Sequence, residues 1–185
     1  MAGCQGKKAC FLTGRPGTGK TTIIREVVRS AGKRAGGFFT QEVRVAGVRT
    51  GFRIVTLDGK ETVLADKGMR SPHRVGSYGV NVLGLEEVGV PAIREAIRKC
   101  DIVVIDEIGK MELSSEFFKE AVMDALKSGK KVTGTIMSAP NPFADQIKRR
   151  DDVTVVTVER RNSALAAGFL AEWLEYEPRR ELEGG

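Results

Sequence analysis

The chain has 185 residues and carries 30 Lys and Arg against 24 Asp and Glu, a net charge of +6. This length suits one compact domain, able to fold without disulfides or a structural metal. The single histidine, His73, excludes a multi-histidine zinc site, and no stretch approaches the roughly 20 apolar residues of a membrane helix.

From the N-terminus, Lys8–Thr13 is a short apolar run that reads as a buried strand. In Lys20–Ala31, the residues Ile23, Ile24, Val27, Val28 and Ala31 fall on one helical face. Gly32 and the Gly36-Gly37 pair punctuate the chain after it. Gly37–Ala65 is rich in Phe, Val, Thr and Ile, and predicts three antiparallel strands: Phe38–Val45, Val48–Leu57 and Lys60–Ala65. Asp58-Gly59 supplies a two-residue hairpin turn. Asp66–Gly79 reads as a polar loop holding His73 and Tyr78, and Val80–Leu83 as a short strand. Pro91 opens a helix running to about Lys99. Ile102–Asp106 is a short apolar strand ending in an acid. Ser114 or Ser115 caps the next helix, which Gly129 ends. Val132–Ile136 is a strand, Pro142–Arg150 a short helix and Val153–Val158 the last strand. Asn162 caps a final helix through about Glu175, and residues 178–185 read as a flexible tail. Buried strands alternating with amphipathic helices predict an α/β fold with a mostly parallel sheet.

Three cysteines, Cys4, Cys10 and Cys100, have no C-x-x-C spacing and read as reduced thiols, which points to the cytoplasm. The first residues hold no long apolar run, so no secretory signal is expected, and Ala2 excludes N-myristoylation. A basic balance attracts polyanions: nucleic acid, acidic membrane or small phosphorylated ligands.

Two motifs choose among these. Gly14-Arg15-Pro16-Gly17-Thr18-Gly19-Lys20-Thr21, followed by Thr22, fits G-x-x-x-x-G-K-[ST] between a strand and a helix. Glycines there let backbone N–H groups close on phosphate oxygens, and the helix N-terminus adds positive potential. Lys20 would reach the β- and γ-phosphates, and the Thr21 hydroxyl would ligate Mg²⁺. The second motif is Ile102-Val103-Val104-Ile105-Asp106-Glu107. Asp106 would hold Mg²⁺, and Glu107 is placed to polarise an attacking water. An acidic pair tilts the reading toward hydrolysis over transfer to a small acceptor.

Other residues carry two readings each. Arg15 is a phosphate contact or a solvent-facing side chain. Lys110 is a phosphate neighbour or a loop cation. Thr135 is a γ-phosphate sensor or a polar strand end, and Arg149 and Arg150 are transition-state arginines or a solvated helix end. Trp173 and Tyr176 read as packing. Arg44, Arg49 and Arg53 form either a basic face for nucleic acid or a charged guard on a sheet edge.

Beyond these motifs the chain resembles the cancer-related nucleoside-triphosphatase family, known from thermophiles as THEP-type NTPases. The similar stretches are Gly14–Thr22, Gly37–Arg44, Arg49–Ile54, Val75–Val82 and Ile105-Asp106-Glu107-Ile108-Gly109-Lys110-Met111-Glu112-Leu113. The resemblance, from about Ala9 to Leu174, implies a three-layer αβα P-loop NTPase fold with core strand order 5-1-4-3-2; the length and the residues read as one domain spanning 1–177 with an antiparallel insertion over about 37–65. The resemblance also implies Mg²⁺-dependent hydrolysis of NTPs, ATP and GTP among them, with broad base tolerance. It assigns Lys20 and Thr21 to phosphate and magnesium, Asp106 to magnesium and Glu107 to the base. Many relatives carry a histidine after the strand equivalent to Thr133–Ile136, where this chain reads Met137-Ser138. Many have Asn-Arg-Asp where it reads Arg160-Arg161-Asn162. A P-loop kinase and a nucleotide-dependent RNA-binding module stay open as alternatives. A monomer without a membrane partner is expected.

Overall fold

The computed structural model describes residues 6–176. Cys4 and the expected tail 178–185 lie outside them. In chain order the elements begin with β1 (Ala9–Thr13), α1 (Lys20–Ser30), β2 (Ala35–Val45), β3 (Val48–Thr56), β4 (Glu61–Asp66), β5 (Arg74–Val75) and β6 (Tyr78–Val80). A helical turn α2 (Val82–Gly84) runs through a π-turn, Leu85–Gly89, into α3 (Val90–Lys99). There follow β7 (Ile102–Ile108), a 3₁₀ turn at Glu112–Ser114, α4 (Glu116–Lys127), β8 (Lys131–Ile136), α5 (Pro142–Lys148), β9 (Val153–Thr157), a 3₁₀ turn at Arg160–Asn162 and α6 (Ser163–Glu175).

The strands form one sheet in the order β5-β6-β4-β3-β2-β7-β8-β1-β9. Its parallel part, with β1, β2, β7, β8 and β9 numbered 1 to 5, has the order 5-1-4-3-2 that the resemblance implies. β1 is buried along its whole length between β8 and β9, which is why it reads as a continuous apolar run. Alternate strand residues feed two cores. Phe11, Val103 and Ile105 pack with α3, α4 and α5 through Ile93, Phe118 and Ile147. Cys10, Leu12 and Val104 pack with α1 and α6 through Ile24, Leu170 and Trp173. This is the three-layer arrangement expected.

β2 changes partners along its length. Ala35–Phe39 pairs in parallel with β7, and from Phe38 onward the strand pairs antiparallel with β3. Gly36 and Gly37, expected to break the chain, therefore lie inside a strand. Their glycine character has a packing cause: a Cβ on Gly37 would stand 2.0 Å from the Val104 carbonyl oxygen, and one on Gly36 2.9 Å from the Cys100 Sγ.

Several boundaries differ from the sequence reading. The link between β3 and β4 spans residues 57–60, longer than the expected two-residue turn, because the Thr56 backbone and hydroxyl hold the Lys60 backbone across it. The expected loop 66–79 contains a hairpin, β5–β6, that extends the antiparallel part to Val80. Val80 ends a strand, and Val82 is already helical. The Asn81 side chain accepts from the Gly84 N–H at 3.0 Å, so the helix starts well before Pro91. Proline lacks the N–H that an α-helix needs, and the π-turn before it absorbs the mismatch, with Val90 N–H bonded to the Leu85 carbonyl. β7 runs past Asp106 to Ile108, so the acidic pair is within a strand rather than at its end. Ser115 caps α4 as expected, accepting from Phe118 N–H at 3.0 Å. Asn162 does not cap α6 with its side chain. It accepts from Glu159 N–H and donates to the Thr157 carbonyl, holding the preceding 3₁₀ turn.

Candidate active site

The carboxyl ends of β1, β7 and β8 converge at the N-terminus of α1. β1 exits against the last parallel strand: Val158 N–H donates to the Thr13 carbonyl at 2.7 Å. A Cβ on Gly14 would stand 2.4 Å from the Val158 carbonyl oxygen, so the motif's first position admits only glycine. Gly14, Gly17 and Gly19 all have positive φ, and Gly19 enters α1 in the left-handed region without a side-chain cap. No acid occupies the first turn of α1. Its leading N–H groups therefore face the loop with no acid of their own turn beside them, the arrangement that binds anions.

Lys20 turns back over this cradle. Its ammonium donates to the Gly14 carbonyl at 2.9 Å and the Arg15 carbonyl at 3.0 Å. Thr18 Oγ1 closes the loop on the Arg15 carbonyl at 3.0 Å. The Arg15 side chain is exposed, as are Pro16 and Thr22, and Thr21 is half-buried.

Asp106 is 2% exposed. Its Oδ1 accepts from Thr135 Oγ1 at 2.5 Å, across the β7–β8 pair. Its Oδ2 is buried with no hydrogen-bond partner, and the Thr21 hydroxyl lies near the carboxylate. Burial pushes the Asp106 carboxyl up. The hydroxyls of Thr135 and Thr21 and the charges of Arg25 and Lys20 pull it down. Glu107 is raised by burial first and by Asp106 second, and Lys20 opposes both. Among the described residues no group of three or more His, Cys, Asp or Glu could hold a metal by itself. An orphaned carboxylate oxygen beside a threonine hydroxyl and an anion cradle still fits a hard cation, one that completes its shell with phosphate oxygens and water.

The expected residues Gly14–Thr22, Asp106 and Glu107 are thus brought together. The others sort as follows. Thr135 is bound to Asp106, while Thr133 donates to the Cys10 carbonyl at 3.0 Å and is structural. Arg150 pairs with Asp152 at 2.7 Å. Arg149, Lys110 and His73 are exposed. Trp173 is buried and donates to the Lys7 carbonyl. Arg44 and Arg49 share Glu42, and Arg53 pairs with Glu61, so two carboxylates answer these three hairpin cations. Three residues near the site escaped the sequence reading. Arg25 lies 4.6 Å over the Phe39 ring, its Nε buried without a partner. Glu112 is fully buried, and Thr40 of β2 contacts it. The signal for Glu112 was present: an acid between Met111 and Leu113 in a block of otherwise apolar and turn residues.

The family model described as NTPase matches residues 9–168. Nucleoside-triphosphatase THEP1 of Thermotoga sp. (strain RQ2) is 47% identical over 152 residues, covering 82% of this chain and 87% of that protein. The human cancer-related nucleoside-triphosphatase is 42% identical, over 84% of this chain and 91% of its own length. The crystal structure of THEP1 from the hyperthermophile Aquifex aeolicus superposes with a TM-score of 0.83 at 36% identity, covering 91% of this chain and 99% of that one. With its sheet order, its cradle and its acidic strand all in place, the chain belongs to this NTPase family.

Proposed function

We propose that this protein is a Mg²⁺-dependent nucleoside-triphosphatase that hydrolyses NTP to NDP and phosphate with broad base tolerance, ATP and GTP among its substrates, as a cytoplasmic monomer. One observation carries the reading. Asp106 is fixed by Thr135 through one oxygen and presents the other, unpartnered, beside Thr21 at the mouth of an uncapped helix. The names of the relatives support the class of reaction. No helix among the described residues is long and apolar enough to cross a membrane.

Backbone N–H groups of residues 17–20 and the Lys20 ammonium hold the triphosphate and draw off negative charge as it builds on the β–γ bridge. Thr21 and Asp106 would hold Mg²⁺, which supplies charge neutralisation to the phosphates when bound. Glu107 accepts a proton from the attacking water as its oxygen bonds to Pγ and the bond from Pγ to the NDP oxygen breaks. Nearby Lys20 favours the ionised form of Glu107 that this step needs, against burial and Asp106.

The test is phosphate release from each NTP with and without Mg²⁺ and with no added acceptor. Glu107→Gln is expected to lower kcat by about 10²-fold with little change in KM. Hydrolysis at the parent rate in that variant would remove Glu107 as base, and product formed only with an acceptor would make the protein a kinase. Thr135→Val keeps the shape of the side chain and removes the donor to Asp106. It is expected to raise the Mg²⁺ concentration for half-maximal turnover by about tenfold, measured by titrating Mg²⁺ at saturating NTP. An unshifted titration would show that Thr135 serves the strand alone.

A further inference from the structure

Beyond the pair Asp106 and Glu107 lies a third carboxyl that the proposed reaction does not use. Glu112 opens the 3₁₀ turn Glu112–Ser114 and is 3% exposed. Its Oε1 meets the Thr40 hydroxyl at 3.5 Å, a contact too long to satisfy a carboxylate. Gly109 separates it from the base. A Cβ on Gly109 would stand 2.9 Å from Glu112 Oε2 and 3.1 Å from Glu107 Oε1, which places those two oxygens within about 6 Å of each other. Glycine at 109 is what lets the two carboxyls approach.

We infer that Glu112 is a positioning residue for Glu107: buried and brought up to the base across Gly109, it holds a proton there. This rests on the reading of Glu107 as the base. Like charges in a low-dielectric pocket cannot all ionise, and the member farthest from a cation yields first. Lys20 acts on Asp106 and Glu107. The largest charges acting on Glu112 are those of Glu107 and Asp106 from β7, both negative. β2 offers it only the Thr40 hydroxyl. α4 begins with the Ser115 hydroxyl, already committed to Glu86 at 2.6 Å, and Lys110 of the same turn is exposed. Burial, with Glu107 second, pushes the Glu112 carboxyl up to about 8, against the pull of the backbone N–H groups of Glu112 and Gly109. At neutral pH it is the neutral acid, a donor facing Glu107. Above about pH 8 it ionises, a third negative charge enters the pocket, and both the base and the incoming triphosphate are disfavoured.

The experiment is a pH profile of kcat and KM for the parent, Glu112→Gln and Glu112→Ala, with the carboxyl carbons of the parent followed by ¹³C NMR and assigned through the backbone. The parent is expected to lose turnover above about pH 8, with the Glu112 carboxyl carbon titrating in the same range. Glu112→Gln keeps a neutral donor. It is expected to work within about threefold of the parent at pH 7 and to lack that alkaline limb, whereas Glu112→Ala falls about tenfold in kcat at constant KM. An alkaline limb unchanged in Glu112→Gln overturns the inference. So does a Glu112 carboxyl that titrates in the ordinary range near pH 4 to 5, a readout that needs no variant to fold. The two readings fail separately: an inactive Glu107→Gln together with an unaltered limb in Glu112→Gln removes Glu112 and leaves the base in place.

Discussion

Replacing Lys20 with Ala is expected to lower kcat/KM for NTP hydrolysis by about 10³-fold while moving the thermal midpoint by only a few degrees. The two expectations share one cause. The ammonium bonds to the carbonyls of Gly14 and Arg15, ties the first residue of α1 to the loop just before it, and reaches no distant element in these bonds. Its contribution to stability is that of a half-exposed cation at the start of a helix. Its contribution to the reaction is larger, because the same charge acts on Asp106 and on Glu107 and stands where the phosphates would enter. Phosphate release measures the first expectation. Thermal unfolding with and without Mg-NTP measures the second, and the parent's stabilisation by nucleotide should be lost in the variant. Turnover within tenfold of the parent would show that the loop's backbone does the binding alone.

The second large effect falls on the backbone. A Cβ at Gly134 would stand 1.8 Å from the Ile105 carbonyl oxygen and 2.5 Å from its carbon. No rotamer relieves a clash with backbone, so β7 and β8 must part where Asp106 and Thr135 are joined. Gly134→Ala is expected to destabilise the protein by more than about 4 kcal/mol and to abolish hydrolysis in whatever fraction folds. Gly168→Ala is the control. A Cβ there meets nothing within 4 Å, and alanine favours the helix, so the variant should be neutral or stabilised by up to about 1 kcal/mol. Urea unfolding of both variants is decisive, and equal midpoints would refute the clash.

What was legible in the sequence was what is local. The strand–loop–helix from Ala9 to Ser30 announces itself because the apolar run, the glycine spacing and the helical periodicity all lie within some twenty positions. Asp106 and Glu107 stand out for the same reason, as acids abutting an unbroken apolar strand. Gly36 and Gly37 misled because the cause of a glycine there is Val104 and Cys100, far along the chain. The helical path from Val82 to Lys99 was hidden by Gly84, Gly89 and Pro91, each a breaker by propensity, which the π-turn accommodates. The β5–β6 hairpin is too short and too polar to show a period of two. The tie from Thr135 to Asp106 needs the strand order before it can be seen. The burial of Glu112 needs β2 as well, because Thr40 reaches it from a strand that the sequence analysis assigned to the insertion.

The double pairing of β2 has a mechanical meaning. Phe39 pairs with Asp106 on one side and with Val55 on the other. The same strand that walls the acidic pair is therefore the root of the antiparallel arm, with no joint between them. β2 is a single beam: Phe39, which pairs with Asp106, and Thr40, which meets Glu112, stand on the strand from which the arm of β3 to β6 extends.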